Sequence, residues 1–276
     1  MINKVKIAVF PVAGYGTRFL PVTKAMPKEL LPVLDKPLIQ HAVEEAIEAG
    51  IETLVFVTGR NKRAIEDHFD RNLELEASLI SKNKFEAAKM ISNILPKNIE
   101  CIFVRQPQQL GLGNAVLCAQ RVVDERPFVV LLADDFLTRD KNNTTDTLIK
   151  AFNQTGKSQL SIMEVNKSDI SNYGVILPSI KGNAVLSIVE KPTMSEAPSN
   201  LASIGRYVLT PDIFDILRKT KPGLAGEIQL TDAVNQQAKN NAVEYVSIIA
   251  KRFDCGSFQG YLDAVSYMAK KMGYNF

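Results

Sequence analysis

The chain has 276 residues and a formal net charge of +3, with 46% hydrophobic and 23% charged residues, a composition that suits one large α/β domain or two small ones. Its longest apolar run, Phe128–Ala133, is of strand length and far short of the roughly 18 residues of a membrane helix. The charge is too slight for nucleic-acid binding, and three cysteines (Cys101, Cys118, Cys255) without a CxxC pair point to a reducing compartment, so a cytoplasmic protein is expected.

In chain order, strand-like runs rich in Val, Ile, Phe and Leu occur at Lys6–Phe10, Thr53–Thr58, Glu100–Val104, Pro127–Ala133, Gln159–Val165, Val185–Val189 and Tyr245–Ile249. After the first, the N-terminus passes through Pro11 into a glycine-rich turn, which is not a secretory pattern. Leu38, Ile39, Ala42, Val43, Ala46 and Ile47 make one helical stripe that Gly50 would stop, and Asn61 is placed to cap a helix carrying Ile65 and Phe69. The alternation predicts an α/β fold with a mostly parallel sheet. Residues 70–98 interrupt it with two polar helical stretches, Leu73–Ser81 and Lys84–Leu95, expected as an inserted hairpin that acts as lid, interface or solvated decoration. The last segment, Ser257–Met272, has an apolar face at Tyr261, Leu262, Val265, Met268 and Ala269, which must pack on its own domain or on another subunit. Two histidines, His41 and His68, give little material for a histidine metal site or a Ser–His triad.

The first strand leads into Pro11-Val12-Ala13-Gly14-Tyr15-Gly16-Thr17-Arg18. Glycines let backbone N–H groups approach phosphate oxygens and permit turns with φ > 0. A dinucleotide fingerprint would need glycine where Phe19 stands, and no Gly-Lys-Ser/Thr of a P-loop follows. Pro27-Lys28-Glu29-Leu30-Leu31-Pro32 comes next, so Arg18 and Lys28 are two cations in one proline-punctuated stretch. Arginine grips two phosphate oxygens, and lysine supplies a mobile charge for a leaving pyrophosphate.

Further on, the apolar strand Val129–Ala133 ends in Asp134-Asp135. In open α/β sheets ligands bind beyond the carboxyl ends of strands, so these acids are placed either to hold a metal or to serve as an ordinary cap. Val104-Arg105-Gln106 and Leu110-Gly111-Leu112-Gly113-Asn114 make a strand–loop–helix connection whose glutamine suits a pyrimidine edge but also any turn. Glu190-Lys191-Pro192 is either an exposed charged strand end or a sugar and phosphate contact, and side chains at i and i+1 face one way only if the strand end is irregular.

With Ala-Gly-x-Gly-Thr-Arg, Pro-Lys-Glu-Leu-Leu-Pro, Asp35-Lys36-Pro37-Leu38, Phe253-Asp254-Cys255-Gly256, Ala197-Pro198-Ser199-Asn200-Leu201 and Glu227-Ile228-Gln229-Leu230-Thr231-Asp232, the chain resembles the sugar-1-phosphate nucleotidyltransferases, in their uridylyl branch, from residue 7 to about residue 262. The resemblance implies a Rossmann-like, mixed, mostly parallel sheet flanked by helices, akin to glycosyltransferase-A folds. It implies one domain over 1–276, with the 70–98 hairpin inserted and the helix at 257–276 available to an oligomer contact. The implied chemistry joins UTP to glucose 1-phosphate with Mg²⁺, giving UDP-glucose and pyrophosphate, in a homo-oligomer (dimer or tetramer) with no nucleic-acid or membrane partner. Residue by residue it assigns Arg18, Lys28 and Lys191 to catalysis. Ala13, Gly14, Gly16, Thr17, Glu29, Gln106 and Gly111 are assigned to the nucleotide, Asp135, Gly174 and Glu190 to the sugar, and Asp134 and Asp254 to the metal. Asn114 departs from the histidine that many relatives carry. The rival readings are a thymidylyl sister enzyme and a catalytically weak regulatory paralogue.

Overall fold

A computed structural model describes residues 4–140, 142–223 and 226–274. The elements run β1 (Ile7–Pro11), β2 (Pro32–Val33), β3 (Lys36–Pro37), α1 (Leu38–Glu48), β4 (Thr53–Thr58), α2 (Arg63–Phe69), α3 (Leu73–Ser81), α4 (Phe85–Ser92), β5 (Glu100–Arg105), α5 (Leu112–Cys118), α6 (Gln120–Val123), β6 (Phe128–Leu131), β7 (Asp135–Leu137), α7 (Thr144–Thr155), β8 (Ser158–Glu164), β9 (Gly174–Pro178), β10 (Val185–Glu190), β11 (Leu201–Leu209), α8 (Ile213–Lys219), α9 (Leu230–Lys239), β12 (Val243–Ser247), β13 (Arg252–Asp254) and α10 (Phe258–Lys271).

Among the described residues nine strands share one sheet, with order β10-β9-β11-β6-β1-β4-β5 and with β8 pairing both β11 and β12. The pairs β6–β1, β1–β4 and β4–β5 are parallel, whereas β11 runs antiparallel to β6, β8 and β9. The sheet is therefore mixed, with a parallel half whose strands all end on one edge. β1 shows why it lies at the centre: Ile7 and Val9 enter the core shared with α5, α8 and α9, while Ala8 and Phe10 enter the one shared with α1, α2 and α7. Successive side chains of a strand face opposite sides, so an unbroken apolar strand needs helices on both.

A second, two-stranded sheet pairs β7 with β13, in the register Asp135↔Asp254, Phe136↔Phe253 and Leu137↔Arg252. This pairing brings two acids remote in sequence to one place. Phe19, Leu31, Val33, Phe136, Cys255 and Ala264 form a satellite core around it. Through that core α10 packs on its own domain, capped by Ser257, whose side chain accepts from the Gly260 N–H; Phe258 and Leu262 stay exposed. The helices α3 and α4 pack on each other, with Leu73, Ile80, Phe85 and Met90 exposed. Helix α2 begins one residue later than an Asn61 cap would give: Lys62 holds the N-cap position and makes no side-chain capping bond. No helix among the described residues is long and apolar enough to cross a membrane.

Candidate active site

The carboxyl ends of β1, β4, β5 and β6 supply four loops to one edge, the place where ligands bind in open α/β sheets. The loop after β1 enters a left-handed residue at Gly16 (φ 67°) and then a 3-10 turn over Thr17–Phe19. A Cβ at Gly16 would lie 3.1 Å from Lys28 Cβ, so the glycine lets the two motifs pack together, whereas a Cβ at Gly14 would meet nothing within 4 Å. Gln109 Nε2 holds this loop by donating to the Ala13 carbonyl at 2.6 Å, and Arg105 at the end of β5 ties the loop after β4 by donating to the Gly59 carbonyl at 2.9 Å.

A cavity of about 620 Å³ opens over these loops, and Ala13, Gly14, Thr17, Lys62, Gln106 and Gln109 are among its walls. The Gln106 amide donates to Asn114 Oδ1 at 2.9 Å and to the Gly111 carbonyl at 3.2 Å. Asn114 thus fixes how the glutamine presents itself. Glu29 and Gly111 are not among the lining residues. Glu29 is 3% exposed, and Lys62 Nζ closes its carboxylate at 2.6 Å. Burial pushes the Glu29 carboxyl up against the pull of Lys62, and burial pushes the Lys62 ammonium down.

Lys28 leaves the same stretch in the other direction and reaches Asp134 Oδ2 at 2.6 Å. Burial opposes its charge, but Asp134 and Glu29 outweigh burial and hold the ammonium above the ordinary lysine value; Asp134 is likewise held below its ordinary value by Lys28 in spite of burial. A Cβ at Gly256 would lie 3.0 Å from Asp254 Oδ1, 3.1 Å from Asp134 Oδ2 and 3.5 Å from an Arg18 guanidinium nitrogen. The two acids and the arginine therefore converge on one small space beside Gly256.

Beyond it lies a cavity of about 270 Å³ whose walls include Arg18, Asp134, Asp135, Glu190, Lys191 and Asp254. Gly174 forms part of the same wall, where a Cβ would sit 3.3 Å from Glu190 Oε2. Asp135 accepts from the Gly205 N–H at 2.8 Å and from Arg252 Nε at 2.6 Å, and burial raises its carboxyl pKa in spite of Arg252. Arg252 also donates to the Tyr173 hydroxyl at 2.7 Å. Lys191 has φ 44°, a region non-glycine residues seldom enter, and its ammonium lies 3.9 Å from Glu190. This is the irregularity that lets successive charged side chains serve one cavity, and strain of this kind gathers at functional sites.

The sequence candidates thus divide. Ala13, Gly14, Thr17 and Gln106 line the first cavity, while Arg18, Asp134, Asp135, Gly174, Glu190, Lys191 and Asp254 line the second. Gly16 and Lys28 are packed together, and Lys28 reaches across to Asp134. Lys62, Arg252, Tyr173 and Gln109 carry no site role in the sequence motifs. Lys62 has one usable signal, its place just past the end of β4; Arg252 has none beyond lying two residues before Asp254.

Comparison with known proteins bears on the whole chain. It is 46% identical over 269 residues to a UTP–glucose-1-phosphate uridylyltransferase of Pseudomonas aeruginosa, covering 95% of each chain. It is 44% identical over 277 residues to the corresponding protein 1 of Staphylococcus saprophyticus, covering 98% of this chain and 95% of that one. A solved UDP-glucose pyrophosphorylase complexed with UDP-glucose superposes with a TM-score of 0.88 at 45% identity, over 97% of this chain and 99% of that one. A UTP-bound UGPase from Acinetobacter baumannii does so with a TM-score of 0.90 at 42% identity, over 97% and 94%. The family model described as nucleotidyl transferase matches residues 7–271, and the chain belongs to that family.

Proposed function

We propose that the protein is a UTP–glucose-1-phosphate uridylyltransferase, converting UTP and glucose 1-phosphate into UDP-glucose and pyrophosphate. The observation that carries this is the Lys28–Asp134 contact, which joins the nucleotide turn to a small cavity walled by Asp135, Glu190, Lys191, Arg18 and Asp254. Relatives bearing that activity's name, and neighbours described with UTP or UDP-glucose bound, support the choice of substrates.

The sugar phosphate is largely dianionic at neutral pH, its second pKa being about 6, and needs no general base. The task is to bring two polyanions into line, so catalysis is positioning and charge neutralisation. The backbone N–H groups around Gly14–Thr17 and the Arg18 guanidinium hold the triphosphate. Lys28 stabilises the transferring phosphoryl group, and Lys191 steers the sugar phosphate while Glu190 and Asp135 accept from sugar hydroxyls. Asp134 and Asp254, two hard oxygen donors facing one glycine-lined space, fit Mg²⁺, which prefers one or two carboxylates together with phosphate oxygens. Bound there, Mg²⁺ would draw charge from the α-phosphate. Lys28 is the cation that meets Asp134 in the structure. We place the enzyme in the cytoplasm as one domain and as a homo-oligomer, a dimer or tetramer that light scattering would measure.

The test is pyrophosphate release by the purified protein with glucose 1-phosphate and Mg²⁺, comparing UTP with dTTP, ATP, CTP and GTP. Release with UTP, lost with EDTA and in Asp134→Ala, is expected. Faster release with dTTP would move the chain to the thymidylyl branch, and none with any nucleotide would refute the activity.

A further inference from the structure

A buried ammonium needs more than one partner, because lysine carries three donors and no acceptor. Lys62 is 4% exposed and lines the larger cavity, yet the only hydrogen bond of its ammonium among the described residues goes to Glu29. Its remaining donors want an acceptor, and an unmet buried donor is costly. That acceptor is not expected to be phosphate: Glu29 already balances the charge, and Arg18 and Lys28 gather at the Asp134 end. The lining beside Lys62 is instead rich in neutral amides, namely Asn61, Gln106, Gln108 and Gln109, groups that suit the edge of a heterocyclic base.

We infer that Lys62 determines the choice of base: held by Glu29, its ammonium donates to the C4 carbonyl of uracil. Cytosine carries an amino group at that position, so donor would face donor and both would be left unmet in a buried site. Glu29, which is not among the residues lining the cavity, contributes by holding Lys62 in place. The assignment rests on the uridylyltransferase reading above.

The experiment measures kcat and KM for UTP and CTP in wild type, Lys62→Met and Lys62→Arg, with melting curves to establish folding. A hydrogen bond to a charged group corresponds to a factor of about 10 to 100, so Lys62→Met should raise KM for UTP at least about tenfold and erode the preference for UTP over CTP by a similar factor. The KM for glucose 1-phosphate should stay within about twofold, and Lys62→Arg should restore part of the preference. Removing one member of a buried ion pair can prevent folding, so the double variant Glu29→Gln/Lys62→Met, which removes both charges, is measured alongside. It should lose the preference as well. An unchanged UTP-to-CTP ratio in a folded Lys62→Met or double variant overturns the assignment while leaving the activity intact. A wild-type protein that makes no UDP-glucose overturns the underlying activity instead.

Discussion

Glu45 on α1 and Arg206 on β11 are each 1% exposed and form an ion pair at 2.8 Å. Glu45 also accepts from Thr145 Oγ1 at 2.7 Å and from the Thr145 N–H at 3.2 Å. Arg206 donates from its other terminal nitrogen to the Leu132 carbonyl at 2.9 Å, just before the Asp134-Asp135 turn. Glu45→Gln would remove the carboxylate that is hydrogen-bonded to the buried guanidinium, a change that costs about 3–5 kcal/mol. For a chain of this size each kcal/mol lowers Tm by about 2–4 °C, so a fall of roughly 6–20 °C is expected. Replacing both partners, as Glu45→Leu/Arg206→Met, should recover most of the loss, because an apolar pair of similar volume removes the desolvation penalty of both ions. The sign with pH follows from the carboxyl: burial raises its pKa, but Arg206 and Thr145 overcome burial and hold it below the ordinary value. A depressed pKa makes the pair's contribution full above the normal glutamate range and lost as pH falls below it. Urea unfolding of the three proteins at neutral and acid pH measures all of this. A Glu45→Gln variant within about 1 kcal/mol of wild type would refute the reasoning.

Lys28→Ala should lower kcat by about 100-fold or more while leaving KM for both substrates close to wild type, since a positioned cation acts on transition-state charge; steady-state kinetics with an effect confined to KM would contradict the role. Gly205→Ala would put a Cβ 2.4 Å from Asp135 Oδ2 and 2.6 Å from Leu132 Cβ. Overpacking of this kind costs about 1–3 kcal/mol, and the displaced Asp135 should raise KM for glucose 1-phosphate more than KM for UTP. Asp254→Asn should raise the Mg²⁺ concentration needed for half-maximal rate, which a metal titration reads directly; an unchanged midpoint would remove Asp254 from the metal.

Much of the sheet is legible in the sequence because its strands have apolar interiors, on the half-buried edge strand β5 as on the buried central ones: Thr53–Thr58 is found with the expected bounds and the first, third and fourth runs within a few residues. Helix α3 is also legible at Leu73–Ser81, since its ends carry their own local signals, Asn72 accepting from the Leu75 N–H at the start. By contrast, β11 holds Ser203, Gly205 and Arg206, which break its apolar run, and it is not among the strand-like runs of the sequence. An arginine inside a central strand reads as exposed until its buried partner Glu45, on a different helix, is known. The pair β7–β13 is three residues long on each side, too short for periodicity, and only pairing reveals that Asp135 faces Asp254. Lys62 is hidden for the same reason as Arg206. In Gly59-Arg60-Asn61-Lys62-Arg63 it looks like one more solvated charge, and the acid that buries it lies in another loop.

The most direct trial of a reaction run by position and charge alone uses one diastereomer of UTP with sulfur on the α-phosphorus and follows the configuration into UDP-glucose. Direct in-line attack by glucose 1-phosphate predicts inversion at that phosphorus. Retention would mean that the uridylyl group passes through a covalent bond to the protein, and a nucleophilic side chain would then have to take over the central role from Lys28, Arg18 and Lys191.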